Sequence, residues 1–501
     1  MKNLYASVCI KEFPAQAMLR LRSEIQSCPC VVMEGDPPLE QVCSLNRKAC
    51  LLGLVPGMTK VEVETFQQIT MLKRAAAEEQ TAREALLECA GAFSPRVEEC
   101  STDGVFVCVI DIAGTEKLFG PAEALAHKLV YETQRLGFSA CIAVSSQFHT
   151  AVIAAKGLTT NCPVRIIPAG LEKPALADLP LSVLDLTPEQ ADTFSLWGIR
   201  TLGALADLPL KGLIARLGQN GKRMHQLAHG MLPHLFQAVE PAFSLSEHLE
   251  FDSPVEMLDA LLFVVNAMLE QLILRATARV FALASVTITL KLEGGAVHTR
   301  TVRPALPTND RQLWLKLLHL DLEAHPPQAA ILATTVSAEP GSTSKVQLGL
   351  FSPQLPEPSR LDVTLARINA IVGEENAGCA VLNDTHATDA FRIEPFQVAS
   401  TRPVVHTSST VRHVMRQIRP AENISVTTQD NKPKSFFFRE CRYTIERAYG
   451  PWLSNGDWWK PSLWGHEQWD LVAHEHAGVM LCCCIVRDVL RNEWQMVGLY
   501  D

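Results

Sequence analysis

The sequence predicts a multidomain α+β protein, and three observations carry that prediction. The chain has 501 residues, more than one hydrophobic core serves and enough for several domains. Its first 165 residues read strand–helix–strand–strand–helix–strand, the order of a mixed sheet backed by helices. The texture then changes, first to short helices broken by Pro and Gly, and finally to strand-rich segments with clustered tryptophans.

The elements follow in order. LYASVCI (4–10) reads as a buried strand, and 15–26 as a helix. Residues 39–75 read as short helices and turns around Pro56-Gly57, followed by an Ala-, Glu- and Leu-rich helix over 74–91. Two strands, 96–102 and 104–112, flank the turn signal Asp103-Gly104. A helix over 121–136 leads to the strand SACIAVS (139–145) and a helix over 148–157. Residues 172–235 are apolar-periodic helices punctuated by Leu179-Pro180, Trp197-Gly198, Leu208-Pro209 and Leu217-Gly218, a small helical domain. A long helix (255–275), strands at 285–293 and 297–303, a helix (308–319) and a strand (330–338) make a second α+β unit. Residues 340–360 are rich in Pro, Ser and Gly and read as a linker, with a helix over 361–372 beyond it. From 391 onward strand-like runs dominate, and five of the eight tryptophans fall between 452 and 469, the signature of a small β domain.

Composition limits the function classes. Hydrophobic residues make up 47% and charged residues 20%, as in ordinary globular proteins. No stretch has the run of apolar residues that a membrane span needs, so no membrane partner is expected. The opening MKNLYASVCIKEF breaks with Lys11-Glu12 after a short apolar run, which is strand grammar rather than signal-peptide grammar, and a cytoplasmic protein is expected. The fifteen scattered cysteines then read as reduced thiols in small apolar sites. Cys28-Pro29-Cys30 has one spacer residue rather than the two of zinc knuckles. Cys482, Cys483 and Cys484 lie near His474 and His476; an apolar strand over 479–486 is the first reading and a metal site the alternative. No cofactor is expected. The net charge of −9 counts against strong autonomous DNA binding by phosphate neutralisation, while leaving room for a local basic patch.

Several phrases, in order, resemble the Y-family translesion DNA polymerases: VCIKEFPAQA (8–17), GLVPGM (53–58), VEECSTDGVFVCV (97–109) and SLWGIRTLGALADLP (195–209). GPWLSNGDWW (450–459) and VGLYD (497–501) resemble the C-terminal region of the ImuB subgroup. The resemblance implies a palm over 1–165 with a fingers insertion at about 28–75, a helical thumb over 166–243 and an α+β little finger over 244–345. It further implies a linker over 346–390 and a β-rich, partner-binding domain over 391–501.

Phosphoryl transfer by such an enzyme needs metal ions held by carboxylates. The alignment puts Cys9 where the family's first metal-binding Asp belongs and Lys11 where a second acid is common. A thiol is a poor ligand for magnesium, and a lysine returning to the same strand face would repel it. In the later motif Asp103 survives, but Gly104 stands where the Glu belongs. The nucleotide-binding Tyr, Arg and Lys positions fall on Arg47, Cys50 and Val152. The chain therefore reads as non-catalytic. The enzyme alternative is an active translesion polymerase with a rebuilt metal site from Glu12, Asp103 and Asp111.

Two binding motifs remain. Gly198-Ile199-Arg200-Thr201-Leu202-Gly203 resembles a helix-hairpin-helix, whose backbone N–H groups approach a DNA phosphate; an ordinary helix–helix turn is the other reading. The little-finger candidate holds eight Lys and Arg against eleven Asp and Glu, so contact with primed or damaged DNA is expected to be weak. Gln347-Leu348-Gly349-Leu350-Phe351 resembles the peptide that docks on the bacterial β sliding clamp: Gln347 offers hydrogen bonds, and Leu348, Leu350 and Phe351 offer apolar anchors. The ImuB resemblance implies two further partners, an ImuA-type (RecA-like) protein and an error-prone C-family polymerase, with Trp458 and Trp459 as contact candidates. These features together predict an adaptor in SOS-type mutagenic translesion synthesis. A DNA-binding protein without a clamp role is the third reading.

Overall fold

The computed structural model describes residues 3–239, 243–304, 306–342, 363–365, 367–368, 372, 376–384, 390–394, 414–456, 463–475 and 478–500. The chain divides into two compact units, residues 1–370 and 371–501.

The first unit begins with a strand whose six residues are all buried, β1 (Tyr5–Ile10). It lies mid-sheet, antiparallel to β6 (Phe106–Asp111) and to β7 (Cys141–Ser145). The edges are β5 (Val97–Glu99) and β8 (Val164–Ile166), giving the order β5-β6-β1-β7-β8. Strand alternation divides the side chains between two layers. Ala6, Val8 and Ile10 pack with Leu86 of helix α4 (Ala76–Gly91) and with Leu125 and Leu129 of α6 (Ala122–Arg135). Cys9 turns the other way, with Val107 and Ala143, toward Ile153 and Ala154 of α7 (Phe148–Gly157).

The insertion after helix α1 (Phe13–Leu19) is not only helices and turns, as expected from the sequence. It holds a three-stranded sheet, β3-β2-β4, from β2 (Cys30–Glu34), β3 (Gln41–Leu45) and β4 (Thr70–Lys73), with short helices α2 (Arg47–Leu51) and α3 (Lys60–Val63). The helix expected over 15–26 stops at Leu19. Arg20 and Arg22 leave it as buried side chains, because carboxylates elsewhere in the fold receive them. A one-turn helix, α5 (Glu116–Phe119), precedes α6.

The helical domain contains α8 (Glu172–Leu176), α9 (Pro188–Leu196), α10 (Leu202–Ala206) and α11 (Leu210–Ala228). Thr187 and Gln190 form a reciprocal capping box that starts α9, with Pro188 in its first turn. Within α11, Gly218 adopts φ 61° and ψ −140° and breaks the helix into two segments.

The second α+β domain is a four-stranded antiparallel sheet, β11-β10-β12-β9. Its members are β9 (Ser246–Val255), helix α12 (Leu258–Ala278), β10 (Phe281–Leu292), β11 (Val297–Val302), helix α13 (Arg311–Ala324) and β12 (Ile331–Ser342). Sequence patterning misses β9, whose charged residues interrupt the apolar alternation. Pro340, Gly341 and Ser342, read as linker, are the end of β12 and pair with Phe281–Leu283. By length and apolarity α12 could cross a bilayer. Here Leu261, Val265, Met268, Leu269 and Leu272 face the core of the domain instead.

The second unit contains a hairpin, β13 (Cys379–Leu382) with β14 (Phe391–Glu394). Six further strands form a closed barrel: β15 (Met415–Gln429), β16 (Lys432–Phe438), β17 (Cys441–Asn455), β18 (Gly465–Glu475), β19 (Met480–Asp488) and β20 (Glu493–Tyr500). Pairing of β15 with β20 closes the ring and removes free edges. Phe436, Trp469, Leu471, Cys483, Ile485 and Met496 fill it. The triple cysteine lies within β19, as the strand reading predicts. The cysteines are free thiols, and among the described residues no group of three or more His, Cys, Asp and Glu is placed to hold a metal.

Candidate functional site

The candidate catalytic positions converge where β1 ends and the β5–β6 turn approaches it. The backbone makes this juxtaposition: the Phe13 N–H donates to the Gly104 carbonyl at 2.9 Å. Gly104 has φ 75°, a left-handed turn conformation. Cys9 is fully buried there, and burial pushes its thiol up to about 12, so it is a neutral S–H at physiological pH. A protonated thiol within an apolar layer is no magnesium ligand.

Lys11 and Glu12 lie beyond the strand. Lys11 Nζ donates to the Leu158 carbonyl at 2.9 Å. Glu12 is held at φ 50°, and its carboxylate accepts from the Ser44 hydroxyl at 2.7 Å and the Leu45 N–H at 3.0 Å. Asp103 is ion-paired with Arg74 at 3.0 Å. The same guanidinium reaches Glu79 at 2.7 Å and Glu34 at 2.9 Å, and its pKa is raised, first by the Glu79 bond. Asp111 pairs with Arg96 at 3.0 Å, at the opposite end of β6. The site imagined from Glu12, Asp103 and Asp111 is therefore not assembled. Each carboxylate is engaged on a different segment.

The candidate nucleotide positions lie apart from these carboxylates in sequence. Arg47 and Cys50 sit on α2; Cys50 is exposed, and Arg47 extends to Asn161 Oδ1 at 3.5 Å. Val152 packs into the apolar layer of α7. One turn along that helix, Lys156 is bound to Asp185 at 2.9 Å. Lys11, Glu12, Arg47 and Asp103 thus all serve as ties: Lys11 and Arg47 to the loop after α7, Glu12 and Asp103 (through Arg74) between insertion and palm. Arg74 escaped the sequence reading, since nothing local marks a cation whose partners come from three separate segments.

The hairpin motif lies between α9 and α10. Gly198 (φ 70°) and Arg200 are exposed, while Ile199 is buried. The N–H groups of Gly198 and Ile199 bond back to Ser195 and Phe194, and those of Leu202 and Gly203 bond to Leu179 and Ala177. Gly203 lies so close to Ala177 that a Cβ would meet its carbonyl oxygen at 3.0 Å, so this glycine serves packing. These four amides are committed internally, so they are not offered to a phosphate. Basic side chains lie nearby. Residues 208–239 contain no Asp or Glu but include Lys211, Arg216, Lys222 and Arg223, all exposed. Among the described residues, no ion pair involves Arg200, Lys211, Lys222 or Arg223. Averaging charge over the whole chain hides this basic stretch.

The clamp-like residues Gln347, Leu348, Leu350 and Phe351, and Trp458 and Trp459, lie outside the described residues. Trp452, Leu453 and Leu463, which flank those tryptophans, are exposed on the barrel.

The profile of the impB/mucB/samB family matches residues 8–156, the palm and its insertion. The ImuB protein of Caulobacter vibrioides is 24% identical over 420 residues, covering 82% of this chain and 89% of that protein. Residues 8–156 thus resemble the impB/mucB/samB family, and most of the chain's length is similar to ImuB. DNA polymerase IV of the same organism is 27% identical over 238 residues, but the match spans 47% of the ImuB-like chain and only 58% of the polymerase. The solved DinB of Sulfolobus solfataricus is similar at a TM-score of 0.40 with 13% identity, covering 67% of this chain and 98% of that one. An alignment covering 82% of the ImuB-like chain exceeds its first unit of 370 residues, so the likeness to ImuB extends into the unit that holds the barrel.

Proposed function

We propose that this ImuB-like chain acts in DNA damage tolerance as a non-catalytic adaptor in SOS-type mutagenic translesion synthesis. The observation that carries the reading is the state of the metal positions. Cys9 is a buried neutral thiol, and Asp103, the surviving carboxylate, is bound by Arg74. Two-metal catalysis requires several acidic oxygens to hold the ions in line with the primer end; here a buried thiol stands at one position, and one oxygen of the exposed Asp103 carboxylate pairs with Arg74. In this reading Gln347–Phe351 dock on the β sliding clamp, raising the local concentration of whatever the chain carries. The basic stretch of α11 and Arg200 contribute weak contact with primed DNA. The barrel unit, through Trp458 and Trp459, receives an ImuA-type partner and an error-prone C-family polymerase.

The test is primer extension by the purified full chain, in magnesium and separately in manganese, with clamp binding measured on the same preparation. The expected result is no extension in either metal, with clamp binding retained. Extension that survives repurification and is lost in Asp103→Ala would overturn the reading and restore the enzyme alternative.

A further inference from the structure

The second α+β domain meets the palm along the outer edge of β9, the last strand of its sheet. An edge strand exposes a row of unpaired N–H and C=O groups. Here charged side chains meet that row. Arg22 donates to the Glu250 carbonyl at 2.7 Å, and Glu78 accepts the Glu250 N–H at 2.9 Å. Arg275 donates to the carbonyls of Ser246, at 3.2 Å, and Ser244.

Ion pairs join these groups into a pair and a four-membered chain, linked through the backbone of β9. Arg22 pairs with Glu78 at 2.6 Å, Arg275 with Glu88 at 2.6 Å and with Glu247 at 3.0 Å, and Arg20 with Glu247. Arg20, Arg22, Glu78 and Glu88 belong to the palm, while Glu247 and Arg275 belong to the α+β domain. None of the six is more than 7% exposed, and their formal charges cancel. Two apolar side chains cross the same boundary in opposite directions: Leu21 packs into the α+β core, and Leu274 packs against the palm core.

We propose that this cluster is a latch that fixes the α+β domain in a single seat on the palm. Nucleic acid or protein then meets the two domains as one preformed body rather than as hinged arms. The physical argument concerns selection of the seat more than raw strength. A buried ion pair gains little over its hydrated, separated partners, but a misplaced one strands a desolvated charge. Sliding the domain by one residue along β9 would present Glu78 with a carbonyl instead of an N–H, take Glu247 away from Arg20 and take Arg275 away from Glu88. Buried pairs are also screened far less by salt than surface pairs, so ionic strength should not release the domain. The inference does not depend on the adaptor reading.

Hydrogen exchange of the intact chain tests it through the Glu250 amide, whose N–H points across the boundary to Glu78. In the wild type this amide is expected to be protected, with the same protection at low and at high salt. Glu247→Gln leaves Arg20 and Arg275 without their shared carboxylate. Exchange at Glu250 should then rise by about a hundredfold, while amides in the centre of β1 and β10 stay protected. If that variant does not fold, Arg22→Met probes the same boundary from the palm side. A wild-type Glu250 amide exchanging as a free sheet edge, protection lost in high salt, or folded variants with unchanged exchange would each overturn the latch.

Discussion

At the scale of the residue, position 9 shows how burial changes what a side chain can do. Cys9 packs beneath α7 among Val107, Ala143 and Ile153, an environment that stabilises a neutral thiol and penalises a carboxylate. Cys9→Asp is therefore expected to lower stability in urea unfolding at pH 7 by roughly 3–5 kcal/mol, the cost of an uncompensated buried charge. It should confer no primer extension, because Gly104 still offers no carboxylate beside Asp103. His149 makes a second residue-scale case. It packs edge-on to Phe148 and His234. Burial, aided by the nearby His234 and Arg223, lowers its pKa from 6.5 to about 4. The folded state therefore resists a proton that the unfolded chain accepts. His149 contributes stability that is present above pH 6.5 and is lost as pH falls toward 4. The urea midpoint of the wild type should fall relative to that of His149→Leu across this window. Parallel curves for the two proteins would exclude the effect.

At the scale of the element, the barrel places one demand on backbone and side chain together. Gly450 has φ 133°, and a Cβ there would meet the Gln468 carbonyl oxygen at 2.8 Å and the Trp469 ring at 3.1 Å. Trp469 is the largest side chain filling the barrel. Gly450→Ala is expected to destabilise the second unit by about 1–3 kcal/mol through overpacking and backbone strain, read from tryptophan fluorescence during unfolding. Helix α11 carries a functional prediction. Lys222→Glu with Arg223→Glu should weaken binding to primed DNA at least tenfold and flatten its salt dependence, with little change between sequences, as expected for phosphate contacts. Unchanged affinity would move any DNA contact off the helical domain.

At the scale of the whole molecule, the chain presents a Y-family-like first unit joined to a barrel-bearing second unit. In the proposed reading, tethering gives this arrangement its meaning, because a weak grip on DNA would suffice for a chain that a clamp holds nearby. Replacing Leu350 and Phe351 together with Ala should reduce clamp binding by a hundredfold or more, since such anchors dominate peptide docking. Thermal unfolding should be unchanged. Retained clamp binding in that variant would place the clamp contact elsewhere in the chain.

The palm's order of elements was legible in the sequence because its strands are short apolar runs and its helices periodic: β1, α6, β7 and α7 fall within a few residues of their predicted bounds. That a thiol and a glycine stand at positions 9 and 104 was legible too, since residue identity at a motif is read directly. The three-stranded sheet of the insertion and the edge strand β9 were not legible, because their pairing partners, rather than their own alternation, make them strands. The fate of Asp103 was equally hidden. Its partner Arg74 lies 29 residues away in sequence and is shared with Glu34 and Glu79. The buried cluster that seats the second α+β domain joins residues more than 150 positions apart. By itself the sequence determined the kinds of elements and which residue types stand at the motif positions, which depend on local pattern and residue identity. Only the tertiary structure decided where the remaining charges went, because a buried charge is satisfied by whatever the fold brings beside it, and no local pattern records that partner.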